Sequence, residues 1–195
     1  MKFCSECGAK VSWQVPQGDD RERAVCGSCG VVHYENPRVL VAVFLYHEKK
    51  MLWTKRGIDP GKGLWAFPQG FLEKGETLQQ AAARELFEET HITLSPKDMI
   101  PMSLGSVLIM DQLYVVFRCP CDEELSAELT PETEDWGWYS ADDAPWEQMA
   151  FPETTPQLSE IYQWVSEGRF AVRVGEVTEE GGDYSVFPLA DDKID

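Results

Sequence analysis

Residues 70–92, GFLEKGETLQQAAARELFEETHI, carry a glycine-punctuated loop into a glutamate-rich helix. Thr77 with Gln80 three residues on is a capping-box signal, so a helix is expected from about Thr77 to Thr90, with Glu76 beside its N-terminus favouring the dipole. Advancing about 100° per residue, Leu78, Ala81, Ala82, Glu85, Leu86, Glu89 and Ile92 project within one stripe. Two glutamates thus share the apolar face while Phe87 stands opposite. Like charges four residues apart repel on a helix, and a bound cation is the natural remedy. Glu85 and Glu89 therefore read as hard oxygen ligands aimed inward, with Glu88 at the edge of the stripe as a further ligand or a base. Arg84 can orient the Glu88 carboxylate or offer its planar fork to a phosphate. A solvated charge run with Arg–Glu pairs is the alternative for an isolated helix of this composition. Gly61, Gly63, Gly70 and Gly75 weigh against it, since such a loop brings backbone amides and carbonyls close to an anion or a metal.

Upstream of this loop, Arg38 to His47 (RVLVAVFLYH) and Met51 to Lys55 read as two apolar strands around the polar turn Glu48-Lys49-Lys50. Downstream, Ser106 to Met110 and Gln112 to Cys119 form a second pair around Asp111, and Trp136 to Tyr139 a short aromatic strand. A second helix is expected from Thr155, with Pro156 at its start and Gly168 at its end. The pattern predicts an α+β fold, a mixed sheet between helices. The acid-rich stretch after Gly181-Gly182 reads as a peripheral strand and a mobile tail. Trp53, Trp65 and Phe67 are assigned to the core, and His33, His47 and His91 receive no role.

Four of the six cysteines stand as Cys4-x-x-Cys7 and Cys26-x-x-Cys29, eighteen residues apart, which is zinc-ribbon spacing. Four thiolates close a tetrahedral Zn²⁺ shell and leave no open position for chemistry, so the role is structural. Disulfides or free thiols are the alternatives, the former disfavoured in a reducing compartment. Cys119 and Cys121, in a strand-like run, read as small hydrophobes. With 17 Lys+Arg against 34 Asp+Glu, the net charge of -17 repels a phosphate backbone and argues against a duplex-binding role. A small phosphorylated ligand is not excluded, because a metal among carboxylates reverses the local potential. There is neither a signal-peptide pattern at the start nor a long charge-free apolar run, so a cytoplasmic location without membrane attachment is expected.

Gly70, five residues, Glu76, seven residues, then Arg84-Glu85-Leu86-x-Glu88-Glu89-x-x-Ile92 resembles the Nudix box, with His91 where the family usually has glycine. A four-cysteine ribbon leading through Tyr34-x-Asn36-Pro37 is similar to the zinc-ribbon Nudix enzymes. The resemblance implies a Nudix α/β/α sandwich (35–172) preceded by a zinc ribbon (1–34), with 173–195 left as the strand and tail. It implies Mg²⁺- or Mn²⁺-dependent hydrolysis of the diphosphate bond of a nucleoside diphosphate derivative such as FAD or ADP-ribose, a small dinucleotide. By similarity Glu85, Glu89 and the backbone carbonyl of Gln69 hold metal, and Arg84 and Glu88 serve catalysis. Asp135 supplies a loop acid that also ligates metal, with Glu132 and Glu134 as alternatives, and Tyr34 contacts substrate unless it only packs in a strand. An NADH or NAD-cap pyrophosphatase is the alternative activity, although residues 101–114 lack the Ser-Gln-Pro-Trp-Pro-Phe-Pro array of NADH-cleaving members. A non-catalytic nucleotide-sensing regulator is the alternative of another class, and the intact box speaks against it. Family members are commonly dimers, so a homodimer is carried as part of the resemblance.

Overall fold

The computed structural model describes residues 1–178 and 181–188, and the proposed acidic tail lies outside the described residues. The chain divides into two units, Met1–Pro37 and Arg38–Asp195. The first holds three short antiparallel strands, β1 (Val11–Gln14), β2 (Arg23–Cys26) and β3 (Val32–His33). Its two cysteine turns repeat one geometry: Gly8 donates to the Cys4 carbonyl and Gly30 to the Cys26 carbonyl, each at 2.9 Å. Both glycines have φ near +75°, a conformation costly for any residue with a Cβ.

The second unit contains β4 (Arg38–His47), β5 (Lys50–Arg56), β6 (Trp65–Ala66), β7 (Gln69–Phe71), helix α1 (Leu78–Thr90), β8 (Ile100–Val107), β9 (Gln112–Pro120), β10 (Thr133–Tyr139), helix α2 (Thr155–Glu167), β11 (Ala171–Thr178) and β12 (Gly181–Pro188). The strands form one mixed sheet in the order β10-β5-β4-β9-β8-β11-β12, with β6 on β5 and β7 on β4. The central pair β4–β9 is parallel and in register from Arg38↔Gln112 to Tyr46↔Pro120. Its apolar run serves both faces, as a doubly covered strand requires. Val41, Val43 and Leu45 pack with Ala81, Ala82 and Leu86 of α1. On the other face Phe44 and Val116 meet Leu158, Ile161, Tyr162 and Val165 of α2, which recur at helical spacing. Leu86 is fully buried, so truncating it to alanine costs about 2–5 kcal/mol. Among the described residues no helix is long and apolar enough to cross a membrane.

Two features position the site. The sheet is split, since β4 and β5 pair only at Tyr46↔Met51 and His47↔Lys50, beside their turn. Beyond that point β4 turns to β7 (Ala42↔Gln69, Leu40↔Phe71) and β5 to β6 (Thr54↔Ala66). The loop after β5 thus folds back into the opening, below one side of α1. That helix starts at the expected capping box, with Gln80 N–H donating to Thr77 Oγ1 at 3.2 Å and Thr77 N–H to Gln80 Oε1 at 2.8 Å. It ends on His91 at φ 57°, where His91 N–H reaches the Phe87 carbonyl.

Some expectations change. Residues 108–110, suggested as strand, form a 3₁₀ turn ending at Asp111 in the left-handed region. Leu78, in the apolar stripe by angle, stays 37% exposed in the first turn of the helix. The segment after 172 does not stand apart. β11 begins at Ala171 and lies parallel to β8 along Arg173–Val177, and β12 adds the edge.

Candidate active site

The capped start and buried stripe of α1 gather three carboxylates, Glu76, Glu85 and Glu88, around Arg84, with Glu89 one turn further on. Arg84 grips Glu76 twice, Nε to Oε2 at 3.1 Å and Nη2 to Oε1 at 2.7 Å. Its Nη1 donates to Glu85 at 2.6 Å and to Glu88 at 2.9 Å, and Nη2 also reaches the Phe71 carbonyl at 2.9 Å. The planar fork thereby ties the helix to the loop, a task a point charge cannot perform. The bond to Glu76 raises the Arg84 pKa and holds the Glu76 carboxyl below its usual range.

Glu85 and Glu89 are the buried members, at 8% and 5% exposure. Burial pushes the Glu85 pKa up although Arg84 opposes it, and the Glu88 and Glu132 charges add. Burial pushes Glu89 up to about 8, against the lowering effect of the Gln69 N–H that donates to it at 3.0 Å. Thr54 Oγ1 donates to its other oxygen at 3.3 Å. Gly70 is required by close approach rather than by a positive φ, because the Glu85 carboxyl fills the space a Cβ would need. Positive φ belongs to Gly61, Gly63 and Gly75 in the same loop. Four acids against Arg84 and the more distant charge of Arg56, two of the acids buried with raised pKa values, form a set of hard oxygen donors short of countercharge, which fits a divalent cation. Gln69, whose carbonyl belongs to the proposed ligand set, is pinned twice: its N–H holds Glu89, and its side-chain oxygen accepts the Tyr114 hydroxyl.

Beside these groups lies a cleft of ≈ 770 Å³ whose lining includes Arg84, Glu85 and Glu88 of α1 and Gln157 and Leu158 of α2. That volume suits a small organic ligand, and the lining is predominantly apolar and aromatic. Of the three candidate loop acids, Glu132 lines the cleft and Asp135 does not. Asp135 stands exposed opposite Lys55, with its Oδ1 on the Trp136 N–H at 2.9 Å. The register from Tyr139 back to Asp135 is unbroken against Met51 to Lys55, and an irregularity lies between Thr133 and Asp135, so Glu132 sits beyond it. The Glu132 carbonyl accepts the Gly57 N–H at 2.7 Å, fixing its loop against the end of β5. Glu134 instead lies 3.5 Å from Lys62.

Arg56 escaped the sequence reading. It lines the cleft, donates from Nε to the Pro60 carbonyl at 2.7 Å and stands over the Phe151 ring. Its only signal was a base ending an apolar strand at the mouth of a glycine loop. Trp53, Trp65 and Phe67 are core residues, and Trp53 Nε1–H donates to Tyr162 Oη at 2.7 Å.

In the first unit the sulfurs of Cys4, Cys7, Cys26 and Cys29 all lie within 4.8 Å of one another and none is in a disulfide. A four-sulfur set of this kind fits Zn²⁺. Backbone N–H groups of Cys29 and Ser28 lower the Cys26 pKa to about 6, favouring the thiolate that binds metal. His33, without an assigned partner from sequence, places Nε2 3.3 Å from Cys4 Sγ, the contact of an outer residue orienting a ligand. Tyr34 is exposed in this unit, with the Arg23 guanidinium 5.2 Å from its ring centre. Cys119 is buried and Cys121 half-buried, the latter with Sγ 3.3 Å from the Tyr46 carbonyl. His47 Nδ1 lies 3.0 Å from the Cys121 carbonyl and His91 Nδ1 2.7 Å from Glu128.

Comparison with known proteins gives two family matches, a NUDIX domain over residues 36–165 and a Nudix N-terminal zinc ribbon over residues 2–35. A crystal structure of a NUDIX hydrolase from Nitrosomonas europaea has a TM-score of 0.83 at 33% identity, covering 91% of this chain and 99% of that one. The NAD-capped RNA hydrolase NudC of Haemophilus influenzae is 39% identical over 95 residues, 48% of this chain. That stretch spans only 34% of the length of the curated relative. A bifunctional NMN adenylyltransferase/ADP-ribose pyrophosphatase from Francisella tularensis, in complex with AMP and a manganese ion, has a TM-score of 0.52 at 26% identity over 65% of this chain and 42% of that one.

Proposed function

Because the chain belongs to the Nudix hydrolase family, we propose that it hydrolyses the diphosphate bond of a nucleoside diphosphate derivative, FAD or ADP-ribose first, to a nucleoside monophosphate and a second phosphorylated product. The observation that carries this reading is that Glu85 and Glu88, beside buried Glu89, line a large and predominantly apolar and aromatic cleft. A Mg²⁺ or Mn²⁺ ion held by Glu85, Glu89 and the Gln69 carbonyl would neutralise diphosphate charge and lower the pKa of an attacking water. Arg84 keeps Glu85 and Glu88 in place through its shared fork. Glu132 takes the part first given to Asp135, positioning or deprotonating water at the cleft wall. Arg56, with its Nε already committed to the loop, offers its remaining N–H groups to phosphate oxygens. The ribbon serves as a zinc-bound structural module, consistent with a cytosol that keeps thiols reduced.

Cleavage of NADH, NAD or an NAD cap is the second reading, favoured by the alignment with NudC. The net charge of -17 weighs against long RNA as substrate. Purified protein with Mg²⁺ or Mn²⁺, offered FAD, ADP-ribose, NADH, NAD and diadenosine polyphosphates with products resolved by chromatography, separates the two. Hydrolysis of FAD or ADP-ribose in preference supports the first reading. Preference for NADH or NAD replaces it with the second, and no turnover of any member overturns both.

A further inference from the structure

Phe71, Leu40, Tyr114 and Tyr184 line the cleft and belong to one row of paired residues that crosses the sheet. Phe71 pairs with Leu40, Leu40 with Tyr114, Tyr114 with Gly105, Gly105 with Gly175, and Gly175 with Tyr184. Partners in such a row share a face. The row therefore begins at the residue whose carbonyl Arg84 holds and ends on the edge strand β12. Its two glycines are not turn residues, as neither has a positive φ. Gly105 leaves room for Tyr184, whose hydroxyl would stand 2.7 Å from a Cβ there, while a Cβ at Gly175 would meet the Asp183 carbonyl and both the backbone and the ring of Tyr184. Tyr184 thus reaches back over two strands toward Tyr114. No hydrogen bond of its hydroxyl is seen among the described residues, and the half-buried side chain lines the cleft.

Arg173 stiffens this arrangement. It is almost fully buried, its guanidinium 4.7 Å from the Tyr184 ring centre, with Nε on Ser103 Oγ at 3.3 Å and Nη1 on Glu160 at 2.9 Å. Paired with a carboxylate, it has little charge to spend on a phosphate and acts as a backing for the ring. From β4 to β8 is two strand spacings, roughly 10 Å, the reach of a sugar between a phosphate and its base.

We propose that Tyr184, seated over Gly105 and Gly175 and backed by Arg173, is the subsite for the aromatic base of the substrate. The proposal rests on the hydrolase reading for its substrate class, but its test does not require turnover. A tyrosine face accepts any planar heterocycle by stacking, so adenine and a flavin ring both fit this chemistry.

AMP, FMN and ribose 5-phosphate are titrated calorimetrically into the full-length protein and into Y184A, Y184F and G105A. Loss of a base–aromatic stack weakens binding on the order of 10-fold. Y184A is expected to lose at least that much for AMP or FMN with no change for ribose 5-phosphate, and Y184F to bind as the parent does. G105A keeps the tyrosine but displaces its hydroxyl end, so it is expected to weaken AMP or FMN too, and it decides the matter if Y184A fails to fold. Unchanged base binding in Y184A, or equal loss for the base-free sugar phosphate, overturns the subsite. Binding without hydrolysis of any dinucleotide would sink the hydrolase reading and leave the subsite standing.

Discussion

Replacing Glu89 by glutamine should stabilise the protein at alkaline pH when no divalent cation is present. The Glu89 pKa is raised from 4.5 to about 8 by burial, so the sign is set. Below pH 4.5 both folded and unfolded chains hold the proton and there is no penalty. Between 4.5 and 8 the unfolded chain releases it while the folded chain keeps it, so stability falls as pH rises. Above 8 both are ionised and the loss is complete. A gap of about 3.5 pH units, at about 1.4 kcal/mol each, is a loss on the order of 5 kcal/mol. Glutamine never ionises, yet it can still accept the Gln69 N–H and meet Thr54, so its curve lacks this slope. The assay is urea unfolding followed by tryptophan fluorescence at pH 5 and pH 8.5, in protein whose zinc content has been verified and to which no other metal is added. Wild type is expected to lose several kcal/mol more than E89Q between the two conditions, and added Mg²⁺ to narrow the difference at pH 8.5. Parallel pH profiles for the two proteins would refute the burial argument.

Glu132→Gln should lower kcat by about 10²–10⁴-fold, the usual contribution of a positioned acid or base, while Asp135→Asn stays within about threefold of wild type. The opposite ranking in steady-state kinetics would return the loop acid to Asp135. Arg84→Lys preserves charge but cannot bridge Glu76, Glu85 and Glu88 together, so kcat/KM should fall about 100-fold with unchanged circular dichroism. Wild-type kinetics would show that the shared fork is dispensable. His91→Gly relieves a left-handed residue at the end of α1 and should stabilise by about 1 kcal/mol, read as a rise in Tm. A fall in Tm would mean that the 2.7 Å contact of His91 with Glu128 outweighs the strain.

Legibility from sequence followed length and periodicity. The helix α1 announced itself through Thr77 and Gln80 and through two glutamates in an apolar stripe, and the structure buries both. The run from Arg38 to His47 is strand β4 with the expected bounds. What escaped was short or interrupted. β6 and β7 hold two and three residues, too few for any alternation to register. For β11 and β12 the expectation is one peripheral strand and a tail, whereas two paired strands extend the sheet, with Gly175 set close against the Asp183 and Tyr184 backbone. The place of Glu132 on the cleft lining lies beyond an irregularity at 133–135 that no pattern of residue types reveals. Arg56 and Arg173 escaped because single bases carry no periodic signal, and only burial distinguishes Arg173 from a solvated one.

The split between β4 and β5 has a consequence for how such a molecule can change. Its reactive helix packs on one face of the sheet, while the cleft lies on the other face, lined in part by residues of β8, β11 and β12, and the opening joins them. Substitutions at the distal wall alter what is held without touching the residues that hold Glu85 and Glu89. A lineage can therefore exchange one nucleotide derivative for another by remodelling one layer, with its chemistry inherited unaltered through a window in the other.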